Sequence, residues 1–228
     1  MIKLIYPKIS KKRIEMDSAL NFPELADVLT DRVLEYYHEE EWKLLKVEDD
    51  VTVSCKKSRD FAGNVYRGDC VLELEPEKAL SYLLPSPHGR RQKWDSSVSE
   101  CIVLIDVTKN ITVSKVSATK LLQGLISDRD FVHLDVVKTF SELNLTCVNS
   151  CSIDHKDYPP VDDYVRGTTH PSGFFLKKHK DRCKTNLTYI AQAEANGRIP
   201  RYLTEAATGS HIIGVFKDLI KDIESAKV

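Results

Sequence analysis

Two stretches hold side chains that could do chemistry. In "DHKDYPPVDDY", residues 154–164, His155, Asp157, Asp162 and Asp163 lie close enough in sequence to suggest metal ligands. Their spacing matches no tetrahedral ligand set, and the Pro159-Pro160 pair stiffens the segment into a solvated loop. In "RDFVHLDVV", 129–137, strand alternation puts His133 and Asp135 on one face, as a general base and its partner would stand. A satisfied polar cluster is the simpler reading of that pair. GxSxG, P-loop, GxGxxG and HExxH motifs are absent. Cysteines 55, 70, 101, 147, 151 and 183 form no CxxC pair. Cys147 and Cys151 share a strand face too far apart to bridge, and read as small core residues. No catalytic set, metal site or cofactor is expected from these residues.

The elements that must carry these residues follow from periodicity. "NFPELADVLTDRVLEYYHEEE" predicts a helix: Asn21 is a cap candidate, Pro23 suits the first turn, and Leu25, Val28, Leu29, Val33 and Tyr36 recur at helical spacing. Three strands should follow, one of them alternating Val51, Val53 and Cys55 with polar residues. In "NVYRGDCVLELE", Tyr66, Gly68, Cys70, Leu72 and Leu74 share one face and Arg67, Asp69 and Glu73 the other. Pro76 opens a short helix. From Glu100 the pattern is β again, over roughly 100–107, 111–118, 130–141, 145–153, 164–178 and 184–194. A long helix from about Pro200 closes the chain. Its apolar positions (Leu203, Ala206, Ile212, Ile213, Val215, Phe216, Leu219, Ile220 and Ile223) make a band broad enough to be buried on most sides. One antiparallel sheet curled around that helix is the simplest architecture.

The bulk numbers narrow the partners. The 228 residues carry a formal net charge of −1, so no global field collects nucleic acid. No run of about 18 apolar residues spans a membrane. Lys3 and the cluster from Lys8 to Arg13 interrupt any signal-peptide core, and reduced cysteines suit a cytoplasmic chain. Residues 1–20 are expected to be a basic, flexible tail and 21–228 one folded domain. The tail's charges, worth about 1 kcal/mol each at an anionic bilayer, could aid docking but not anchor the chain alone.

Several strings resemble, together, the StAR-related lipid-transfer (START) domain family. They are "NVYRG" (64–68), "KWD" (93–95), "RDFV" (129–132), "YPP" (158–160), "YVRGTTHPSGF" (164–174) and "KTNLTY" (184–189), in that family's order and spacing from about Phe22 onward. The likeness is to its short, single-domain cytosolic members. It implies an α+β helix-grip fold: a long curved antiparallel sheet wrapped around the C-terminal helix, with an internal tunnel for one lipid, often a sterol. It also implies a monomeric, non-enzymatic carrier that touches membranes only transiently. A lipid-sensing interaction module, a carrier of a bile-acid-like steroid, carotenoid or phospholipid, and a grip-fold enzyme are the alternatives.

The resemblance also implies a site. The tunnel's acid and arginine in sterol-binding relatives fall at Val116 and Asp135 here, so the pair is missing and an acid stands in the arginine's place. A serine contact of the seventh strand falls near Val148, beside Asn149 and Ser150. Arg91 matches an arginine that reaches the ligand in some relatives, and it or a tunnel water is expected to compensate Asp135. Ile212 and Phe216 are expected to meet the ligand from the last helix. The loop 118–128 is expected to gate the tunnel and touch the bilayer through Leu121, Leu122, Leu125 and Ile126.

Overall fold

A computed structural model describes residues 21–119, 127–181 and 183–226. Helix α1, Phe22–His38, begins with Pro23 in its first turn. Asn21 occupies the cap position, yet its side chain makes no capping hydrogen bond. The helix stops short of the glutamate run: Glu39 is extended, and Glu41 takes a left-handed φ of 64° that turns the chain into the sheet. Strands β1 (Lys43–Glu48), β2 (Val51–Lys57) and β3 (Asn64–Leu72) follow as a meander. Two short helices, α2 (Pro76–Leu83) and α3 (Arg91–Trp94), lead to β4 (Val98–Thr108), β5 (Ile111–Ala118), β6 (Arg129–Phe140) and β7 (Leu145–Ser152). The chain ends through β8 (Val165–Arg166), β9 (Thr168–Thr169), β10 (Ser172–Lys178), β11 (Thr185–Ala191), β12 (Ala193–Glu194) and α4 (Arg201–Ser225).

The main strands pair antiparallel in the order β1-β2-β3-β11-β10-β7-β6-β5-β4. This is the helix-grip fold expected from the sequence. Two expected strands are each divided. Residues 164–178 break at Gly167, where a Cβ would stand 2.1 Å from the Phe131 ring, and again at Pro171, which has no N–H to give. The fragment β8 turns to pair parallel with β6, and β9 pairs with β12 in a separate two-stranded sheet. Residues 184–194 break at Gln192, whose backbone N–H donates to Ser172 Oγ at 2.9 Å instead of to a strand.

The sheet has two apolar faces. On the convex face α1 covers Val113, Val132, Leu134, Cys147, Phe175 and Ile190, all buried with Leu29, Val33 and Tyr36. On the concave face Cys70, Leu72, Val148, Phe174 and Leu187 pack with Ile212, Phe216 and Leu219 of α4. Coverage on both faces explains why β6 is buried almost continuously rather than on alternate residues. Gly68 of β3 makes the helix contact possible, since a Cβ there would lie 2.4 Å from the Phe216 ring and 2.8 Å from Ile212.

Helix α4 divides into two unequal halves. Ile212, Ile213, Val215, Phe216, Leu219 and Ile223 are buried, each worth about 1.5–3 kcal/mol. The second half is therefore docked by something on the order of 10 kcal/mol. Leu203 and Ala206, expected in the buried band, are exposed, as is Tyr202 at 70%. None of the three lines the cavities beneath the helix, so only the second half of α4 serves as core.

Several residues of the family-like strings turn out to be joinery. Arg166 forks onto Asp130 through Nε at 2.9 Å and Nη2 at 2.8 Å, and also donates to the carbonyls of Tyr158 and Pro159. Arg129 donates to the carbonyls of Ala195 at 3.0 Å and Asn196 at 3.2 Å, stapling the start of β6 to the segment that enters α4. Trp94 Nε1 donates to the Tyr82 carbonyl at 2.7 Å, tying α3 to α2.

Candidate functional site

Between the concave face and α4 lies a cavity of about 530 Å³. Successive inward positions of each strand line it, because side chains alternate across a strand. Strand β5 contributes Ser114, Val116 and Ala118; β6 contributes Phe131, His133 and Asp135; β7 contributes Val148 and Ser150. Phe174 of β10 and Tyr189 of β11, paired in register and stacked with centroids 4.0 Å apart, form part of its floor. Arg91 of α3 enters beside them, its guanidinium 5.8 Å from the Phe174 ring centre. The weakly buried first half of α4 supplies the roof through Thr204, Ala207, Thr208, Ser210 and His211. A second cavity of about 360 Å³ shares Tyr66, Ala193, Ala195, Thr204 and Thr208 with the first and carries Asn64, Asn196 and Glu205 on its outer wall.

The polar groups are held separately. Asp135 accepts a hydrogen bond on each carboxylate oxygen, from Ser114 Oγ of β5 and from Ser150 Oγ of β7. Arg91 instead donates to Asp95 at 3.3 Å, and Asp95 is further fixed by the Ser97 hydroxyl at 2.6 Å. Burial opposes the Arg91 charge, but Asp95, with smaller contributions from Cys101 and Tyr189, outweighs it and raises the arginine's pKa. His133 Nε2 meets Thr169 Oγ1 at 2.9 Å. Burial lowers His133 to about 4, against a smaller opposing pull from Asp135, so the ring is neutral at pH 7. Burial lowers His211 as well, and that residue also lines the cavity.

Set against the sequence expectations, Arg91, Val116, Asp135, Val148, Ser150 and Ile212 all lie on the cavity lining. Phe216 does not: its ring packs on the Gly68 backbone, inside the core. Compensation of Asp135 by Arg91 is also corrected, since the arginine is taken by Asp95 and two serines serve the carboxylate. Asn149 faces the opposite side of β7, donating to Thr30 at 3.3 Å. His133 and Asp135 share a wall but bond to different hydroxyls, not to each other. Leu121, Leu122, Leu125 and Ile126 lie outside the described residues, as does the basic tail. His155 and Asp157 sit 3.9 Å apart in the loop after β7. Sequence reasoning overlooked Tyr189, Phe174 and His211. Strand alternation from Gly68 through its register partner Tyr189 could have found the first two.

The START domain description matches residues 24–227, nearly the whole described chain. The chain belongs to the START domain family. It is 32% identical over 183 residues to StAR-related lipid transfer protein 5 of Mus musculus, covering 79% of this chain and 85% of that one. It is 29% identical over 207 residues to StAR-related lipid transfer protein 6 of Homo sapiens, covering 89% and 93%. The solved structure of human StAR-related lipid transfer protein 5 superposes with a TM-score of 0.85 at 27% identity, covering 91% of this chain and 98% of that one. These relatives share the single-domain START architecture described above.

Proposed function

We propose that this START protein is a non-enzymatic carrier that takes one lipid, of sterol size, into its cavity and moves it between membranes. The observation that carries the reading is the cavity itself: about 530 Å³ of space between a curved sheet and a helix that a packed core would have filled. That volume falls in the range of roughly 300–1,000 Å³ found for small-molecule pockets. Its mixed lining, apolar along Val116, Val148 and Ile212 and polar at Arg91, Asp135 and Ser150, suits a greasy body with one polar end. The names of the relatives support lipid transfer as the task.

The energetics favour a carrier with a local entrance. Exposing a lipid to water costs about 0.8 kcal/mol per CH2, so a fused-ring body meets a barrier well above 10 kcal/mol on an aqueous path. Undocking the whole of α4 would cost a similar amount. Entry beneath its lightly buried first turns costs far less. Among the described residues no helix is long and apolar enough to cross a membrane.

The test is transfer of a fluorescent sterol from donor to acceptor vesicles, with binding measured in parallel. Leu122→Asp and Leu125→Asp should slow transfer while leaving the cavity able to bind. Binding without transfer in the wild type would favour a lipid-sensing module, and chemical conversion of the lipid would favour an enzyme.

A further inference from the structure

Asp135 is a carboxylate that the cavity wall positions but does not neutralise. Ser114 and Ser150 reach it from the strands on either side, one hydroxyl to each oxygen. Each oxygen keeps acceptor capacity after those two bonds. Asp135 is only 7% exposed, and it lies on the cavity lining, so a bound molecule is the natural partner for that capacity. Among the described residues no cation lies within ion-pairing distance of it. The lining arginine, Arg91, is engaged by Asp95. Burial lowers the pKa of both lining histidines, His133 to about 4. With Arg91 paired to Asp95, Asp135 is the lining carboxylate that has no cationic partner among the described residues.

We propose that Asp135 makes the cavity selective for uncharged lipids that donate a hydrogen bond, such as a hydroxyl on a fused-ring skeleton, and closes it to lipids whose buried end is anionic. The proposal rests on the carrier reading above and adds the charge and hydrogen-bonding class of the cargo. A ligand hydroxyl donates to a carboxylate oxygen already oriented by two serines, a charge-assisted bond in a poorly hydrated space. A ketone on the same skeleton brings a second acceptor and leaves the carboxylate unpaired. A sulfate or carboxylate brings a like charge into low dielectric, where repulsion is weakly screened. The expected order is alcohol, then ketone, then sulfate, with each step roughly tenfold to a hundredfold.

The experiment is displacement of a fluorescent sterol from the full-length protein by three competitors on one skeleton: the 3-hydroxysteroid, the 3-ketosteroid and the 3-sulfate. Wild type should show the stated order, and Asp135→Asn, equal in size but uncharged, should shrink the alcohol-to-sulfate ratio by about tenfold or more. Equal displacement by all three competitors in the wild type overturns the proposal, whatever the variant does. An unchanged ratio in a folded Asp135→Asn protein overturns it too. Mass spectrometry of lipid extracted from the purified wild type gives a second reading that depends on no probe. Neutral hydroxylated lipids support the selectivity. Anionic lipids overturn it while leaving the carrier reading intact, and absence of any bound lipid overturns both.

Discussion

Removing Arg166 should unseat the start of β6, and with it the wall that bears Phe131, His133 and Asp135. Arg166 and Asp130 form a two-point ion pair with side chains only 10% and 2% exposed. Arg166→Met keeps the aliphatic bulk but strands the Asp130 carboxylate, and breaking a buried pair from one side costs about 3–5 kcal/mol. For a domain of this size each kcal/mol moves the midpoint by about 2–4 °C, so thermal unfolding should fall by roughly 6–20 °C. The double variant Asp130→Leu with Arg166→Met removes both charges and should recover at least about 1 kcal/mol, because no buried carboxylate is left unpaired. Recovery will be incomplete, since Arg166 also serves the Tyr158 and Pro159 carbonyls. Circular dichroism melts and urea unfolding of the three variants measure this. A single variant within about 1 kcal/mol of wild type, or a double variant no better than the single, would refute the reasoning.

Two further outcomes follow from the same wall. His133 is held down at about 4 by burial, whereas an unfolded histidine titrates near 6.5. The unfolded chain therefore takes up that proton first, so stability should decline as pH falls from about 6.5 towards 4, by a few kcal/mol in all. His133→Gln should flatten that part of a urea-unfolding pH series, and a profile unchanged by the substitution would count against it. Gly167→Ala places a methyl 2.1 Å from the Phe131 ring, so that ring, which lines the cavity, must shift. Sterol binding should weaken while stability drops by only about 1–3 kcal/mol, the usual cost of overpacking. Adding Phe131→Leu should restore binding; undiminished binding in Gly167→Ala alone would contradict the placement.

The fold was largely legible because its signals are local. Alternation in 64–72 and helical spacing in 22–38 each specify which side chains turn inward, and the structure buries Tyr66, Cys70 and Leu72 as read. The breaks at Gly167 and Gln192 were not legible, since each depends on a group distant in sequence: the Phe131 ring and the Ser172 hydroxyl. The limit is the same at the site. That Asp135 occupies an inward position follows from strand parity. Its pairing with two serines, and the capture of Arg91 by Asp95, depend on how β5, β6, β7 and α3 meet in space. Leu203 and Ala206 misled for a related reason. Periodicity marks an apolar face, but not whether the rest of the protein covers it.

The account stands on an interior that holds one lipid, and native mass spectrometry of the protein after incubation with sterol-containing vesicles addresses this directly. The predicted spectrum shows the 25.9 kDa chain carrying the mass of a single sterol. Val148→Trp, which fills the cavity from its β7 wall, should return the protein to the mass of the bare chain without unfolding it. An unshifted wild type, or several lipids bound to both proteins alike, would contradict a central binding cavity.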